Sequence, residues 1–147
     1  MSEIGFYHLT RTSAEAALPR LLGRTLAAGQ RAVVICGDDA RVAALDDALW
    51  AASDPDWLPH GSARTGEADL QPIWLTTTDE APNAARYLFL IDGQTADAAR
   101  YDRVFDLFDG ADGDAVKAAR RRWAAAKADG HNVTYWLQGD RGWEKKA

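Results

Sequence analysis

Arg120, Arg121 and Arg122 are followed at once by Trp123 in an alanine-rich segment near the end of the chain. A guanidinium grips carboxylates and phosphates through paired charge-assisted hydrogen bonds. An indole one helical turn away offers a flat apolar face to a ring. Together they suit a ligand that is both anionic and aromatic, an acidic peptide end or a nucleotide. Other chemistry-bearing residues are less organised. His8, His60 and His131 are far apart with no His-x3-His pair, so they do not form a metal motif. Cys36 lies inside an apolar run and reads as an inert core thiol. As the sole cysteine, it excludes an intrachain disulfide. Ser13, Ser53 and Ser62 lack a nucleophile-elbow context.

The elements that must position these residues can be read from periodicity. Residues 3–9 form a first strand, and Thr12 or Ser13 caps a helix in which Pro19 invites a kink and Gly29 supplies the stop. Residues 31–36 (RAVVIC) are almost wholly apolar, the pattern of a parallel strand buried on both faces. Helix 39–51 follows, then a loop over 53–69 rich in Pro, Gly, Asp and Ser. Strands are expected at 72–77 and 86–91, and a strand or strand-ending turn at 101–108. Helix 112–129 and strand 132–137 come last, with a frayed tail over 139–147. This alternation predicts a three-layer α/β/α domain with a largely parallel, mixed sheet, one domain over residues 1–138.

A nucleotide-fold-like sheet calls for a search for a phosphate loop. A dinucleotide site places Gly-x-Gly-x-x-Gly after the first strand, where backbone must approach the pyrophosphate. Here that turn reads Thr10-Arg11-Thr12-Ser13, and no Gly-x-x-x-x-Gly-Lys-[Ser/Thr] occurs. Asp38 and Asp39 stand where a ribose-binding acid could sit, but without the glycines they read as helix-capping carboxylates. No catalytic constellation, resident cofactor or metal site is expected. The chain carries 17 Lys+Arg against 22 Asp+Glu, a net charge of −5. That balance argues against a whole-surface nucleic-acid binder, whose affinity rests on neutralising phosphates. With no membrane-length apolar run, signal-like start or disulfide framework, the expected location is the cytoplasm.

Placing residues 115–128 on a helix at about 100° per residue separates two faces. Ala115, Ala118, Ala119, Ala125 and Ala126 form a small-residue face for close packing on the sheet, with Arg122 the one polar residue within it. Val116, Arg120, Trp123 and Lys127 share the adjacent flank, and Lys117 and Arg121 continue the charge outward. Because the alanines are expected to seal the core, Trp123 is expected to be available to a ligand.

The ordered set "GFYHLT", "RAVVICGDDARVAALDDALW", "WLPHG" and "YDRVFDLFDG" followed by "ARRRWAAAKADGHNVTYW" resembles the chi subunit family of bacterial DNA polymerase III holoenzyme over nearly the whole chain. The second piece ends in the family's Leu-Asp-x-x-Leu-Trp pattern at Leu45, Asp46, Leu49 and Trp50. The resemblance implies a non-enzymatic adaptor. It implies binding of the acidic C-terminal tail of single-stranded DNA-binding protein, which ends in a phenylalanine with a free carboxylate. It further implies pairing with the psi subunit, which links chi to the clamp loader, or with a helicase on the same surface. By position, Arg120 and Trp123 correspond to the family's tail-binding residues, and Val116 and Ala124 to positions that can be basic. Lys117, Arg121 and Lys127 would supply charge locally. The second surface would use Trp50, Trp57, Pro59 and His60. On this reading nucleic acid is met only indirectly. A competing reading is direct contact with single-stranded nucleic acid, with Trp123 and Trp136 as stacking platforms. Nucleotide chemistry ranks third.

Overall fold

The computed structural model describes residues 2–52 and 58–147. Along the chain come β1 (Glu3–Leu9), α1 (Ala14–Ala27), β2 (Ala32–Ile35), α2 (Asp39–Ala51), β3 (Gly61–Ser62), β4 (Ile73–Thr76), β5 (Tyr87–Leu90), β6 (Arg103–Asp109), α3 (Gly113–Ala128), β7 (Asn132–Gly139) and β8 (Gly142–Lys145). Among the described residues the strands form one sheet in the order β3-β4-β2-β5-β6-β1-β7-β8. All neighbours are parallel except β7 and β8. The fold is the expected α/β/α sandwich on a mixed, mostly parallel sheet.

Two cores flank the sheet. Alternate residues of each strand point to opposite faces, so Tyr7 and Leu9 join Val34, Phe89, Phe105 and the buried leucines of α1 and α2 on one side. Ile4 and Phe6 join Val33, Leu88, Val104, Phe108 and α3 on the other. The four residues of β2 are buried without exception, as the apolar run at 31–36 predicts. α1 runs through Pro19 without a break in its assignment, capped by the Ser13 side chain on the Ala16 amide. Gly29 follows it at a φ of 76°, a left-handed turn that a side chain would strain.

Two segments depart from expectation. The loop over 53–69 contains the short strand β3, which pairs with β4 through Gly61 and Ser62. The end of the chain is not a frayed tail, because Gly142–Lys145 returns along β7 as β8. The Gly139↔Gly142 pair closes that hairpin around Asp140 and Arg141. The strand was hidden because its residues, Gly142-Trp143-Glu144-Lys145, carry one apolar side chain among polar ones. A two-stranded edge pair needs only one face packed, and Trp143 supplies it.

Candidate functional site

α3 starts from an Asp112 cap whose carboxylate accepts hydrogen bonds from the Asp114 and Ala115 amides. Ala119 and Ala126 are its fully buried residues. Ala115 and Ala118 are half-buried and Ala125 is exposed, so the alanine face is narrower than its angular arc suggests. Arg122, the polar exception on that face, forms a bidentate pair with Asp106 of β6, Nε to Oδ2 at 2.7 Å and Nη2 to Oδ1 at 2.9 Å. Asp106 is only 3% exposed. Burial pushes its carboxyl above the ordinary range, against the opposing pull of Arg122. Arg122 is therefore an anchor and not part of a free basic patch.

Trp123 has a packing role that the sequence reading denied it. Its ring meets Phe6 of β1 edge-on at 5.6 Å and Tyr135 of β7 at 5.9 Å. It is half-buried there, beside half-buried Val116, at the margin of the core. The alanines alone do not seal this corner, because Tyr135 of β7 and Phe6 of β1 meet Trp123 there. Lys127 places its Nζ 5.8 Å from the Trp123 ring centre. Lys117, Arg120, Arg121 and Ala124 are exposed. No carboxylate among the described residues pairs with Lys117, Arg120 or Arg121. The outcome is a ledge with an apolar floor, Val116 and Trp123, and a row of unneutralised cations along it.

Two further side chains belong to this ledge and were missed. His8, at the end of β1, contacts the Tyr135 hydroxyl through its Nδ1 and lies against Phe108 at 5.0 Å. Its ring occupies the space above Gly110, where a Cβ would come within 2.3 Å of Nε2. Burial, reinforced by the nearby Arg120 charge, lowers the His8 pKa. Burial raises that of Tyr135, with Arg120 pulling it back. Arg120 thus projects its field onto both. The sequence signal was the alternation of β1, which turns His8 to the same face as Phe6.

At the far edge of the sheet, Trp50 is 56% exposed at the end of α2. His60 is buried beneath it, ring centres 4.3 Å apart. Its Nδ1 hydrogen-bonds the Leu58 carbonyl at 2.6 Å. Its Nε2 lies 2.8 Å from Asp46 Oδ1 but off the line of a hydrogen bond. Pro59 is half-buried, and Trp57 lies outside the described residues. Trp50 is a surface ring, and His60 supports it from below.

The nucleotide position of the fold is also visible. β1 leads into α1 on one face and the adjacent β6 into α3 on the other, which opens a crevice of about 860 Å³ at the carboxyl ends of the strands. The backbone donors of the β1–α1 turn are already engaged. The amides of Thr10, Arg11 and Thr12 all point at Gln138 Oε1 at 3.2, 2.9 and 3.2 Å. Gln138 Nε2 in turn donates to Thr12 Oγ1 at 2.8 Å. A side-chain carbonyl from β7 fills the place where a phosphate would take those amides. Of the cations lining the crevice, Arg41 pairs with Glu15 and Asp92, and Arg122 with Asp106. Cys36 is buried, its thiol pushed up to about 12 by burial, and no group of metal-ligating side chains occurs among the described residues.

The comparisons with known proteins agree with this architecture. The chain is similar to a probable DNA polymerase III subunit chi of Rickettsia prowazekii (strain Madrid E), 28% identical over 91 residues. That match covers 62% of this chain and 55% of the relative, so it spans little more than half of that protein's length. The family model of the DNA polymerase III chi subunit, HolC, matches residues 1–134. With nearly the whole α/β/α sandwich inside that match, the chain belongs to the DNA polymerase III chi subunit family.

Proposed function

We propose that this chain is a non-catalytic adaptor that bridges the polymerase III clamp-loader assembly to single-stranded DNA-binding protein, by holding that protein's acidic C-terminal tail on α3. The observation that carries the reading is exposed Arg120, free of any carboxylate among the described residues, set between half-buried Val116 and Trp123. Arg120 binds the terminal carboxylate of the tail, and the Trp123–Val116 floor receives its final aromatic ring. Lys117, Arg121 and Lys127 draw in the aspartates upstream. Contact with DNA at this ledge is made only through the protein that coats it.

A short peptide covers little surface, so the affinity is micromolar, about −8 kcal/mol. Exposed flanking cations make it fall with salt. Titration with tail peptides carrying and lacking the last residue tests the assignment. The shortened peptide is expected to bind at least about ten-fold more weakly. Equal affinity would remove the socket.

The Trp50–His60 corner, with Pro59 and Trp57 beside it in the chain, is the proposed surface for the psi subunit or a helicase. An exposed tryptophan buttressed from below is the kind of rigid anchor that dominates protein interfaces. Pull-down from native lysate with Arg120→Ala and Trp50→Ala separates the two surfaces. Loss of different partners is expected, and loss of the same partner in both would merge them.

A further inference from the structure

The face of the sheet turned away from α3 carries a second aromatic group that the tail ledge does not use. On that face α1 lies against β2 and β6, and α2 against β4. Over β7 and β8 the surface is made of half-buried rings instead. Trp136 of β7 lies parallel to Tyr7, centres 5.9 Å apart and planes within 4°. Trp143 of β8 stands edge-on to Tyr7 at 5.0 Å and 89°. Buried Tyr7 thus lies at the bottom of a groove, with the half-buried rings of Trp136 and Trp143 packed against it. The opposite wall is the last turns of α1, carrying Arg24, and at the open end Arg103 lies 4.8 Å over the Phe105 ring. The groove between them measures about 230 Å³.

The charges around the groove are unbalanced. Arg24 and Lys145 are exposed and Arg103 half-buried, and no carboxylate among the described residues pairs with any of them. Glu3, at the start of β1 and in register with Arg103, is the acid whose charge reaches Tyr7 at the groove. Three cations against one carboxylate, in a chain of net charge −5, is a local reversal of sign. The volume falls below the roughly 300–1,000 Å³ of folded small-molecule sites and suits a single flat ring. Flat rings joined by anions are what single-stranded nucleic acid presents, and only the single strand exposes its base faces.

We propose that the Trp136–Trp143 groove above Tyr7 is a direct contact site for single-stranded DNA, in which a base packs against the half-buried Trp136 and Trp143 rings and Arg24, Arg103 and Lys145 meet the flanking phosphates. The site is distinct from the α3 ledge. Trp123 and Trp136 serve opposite faces of the sheet. Few phosphates are reached, so the contact is weak and acts when a coated strand is already held nearby.

The test is fluorescence anisotropy of a labelled oligo(dT) of about 20 nucleotides with the full chain. Binding in the range of tens of micromolar is expected at about 50 mM salt, with a log–log salt slope near −2 from up to three single-strand phosphate contacts at about −0.7 each. Trp143→Ala is expected to weaken it about 5- to 100-fold, the range of one base–aromatic stack. Arg24→Gln with Arg103→Gln, which leaves the rings and hairpin intact, is expected to flatten the salt slope. Arg120→Ala is expected to leave oligonucleotide binding unchanged while it abolishes tail binding, so the two sites fail separately. No binding at low salt, or binding indifferent to both Trp143→Ala and the arginine pair, would overturn the proposal. So would sedimentation showing that Trp143 mediates self-association or holds a protein partner that excludes the oligonucleotide.

Discussion

Arg120 and Arg122 are two residues apart and do opposite things. Arg122 turns inward and pairs with a buried carboxylate, so removing it leaves the Asp106 carboxyl buried without its partner. Loss of one partner of a buried pair costs about 3–5 kcal/mol. Arg122→Ala should therefore lower the urea midpoint sharply, and Asp106→Leu with Arg122→Leu should restore much of it. Arg120 faces solvent, and its removal should be nearly silent in the same melt. Its effect is on His8. Burial and Arg120 together hold the His8 pKa below its ordinary value. The unfolded chain then binds more protons as the pH falls below about 6.5, so the native state loses stability in that direction. Arg120→Ala should raise the His8 pKa in an NMR titration and reduce this acid-side loss. A carboxylate bound beside Arg120 should raise it in the wild-type chain. A His8 pKa unmoved by either would separate it from the ledge.

At the scale of elements, β1 serves both faces. Phe6 and His8 support the α3 ledge while Tyr7 floors the opposite groove. This much follows from the period of a strand and was legible once β1 was assigned. The placement of α3 was legible too, since its caps and its arginine–tryptophan spacing are local. What escaped depends on distant pairing. Asp106 sits in an alternating strand and reads as a solvent-facing carboxylate until Arg122 is brought over it. The hint was Arg122 itself, a lone charge on an alanine face. Trp123 was read as surplus to the core because helix angle alone cannot show how far the sheet extends beneath. Close packing of α3 also makes a prediction. Ala126→Leu inserts bulk where the helix meets the sheet and should cost about 1–3 kcal/mol, read by thermal melting. An unchanged melt would mean the helix rides higher than described.

Over the whole molecule, β8 and the hairpin that it closes with β7 are the part that the sequence concealed. The hairpin sends Gln138 into the β1–α1 turn and stands Trp143, the cross-strand partner of Gln138, over Tyr7. Gln138→Ala should cost about 1 kcal/mol and speed hydrogen exchange at the Thr10, Arg11 and Thr12 amides. Exchange left unchanged would show those amides to be protected by something else. The fold thereby keeps a nucleotide sandwich while its phosphate position is filled from within. Its basic chemistry moves to one helix and one open sheet face. The central claim is that α3 receives an aromatic peptide end by its free carboxylate. The most direct measurement is a ¹H–¹⁵N NMR titration of the full chain with a tail peptide bearing either a free or an amidated C-terminus. The free acid should perturb residues 116–127 together with His8 and Tyr135, and the amide should bind at least about ten-fold more weakly. Equal binding of the two peptides, or perturbation centred away from α3, would contradict it.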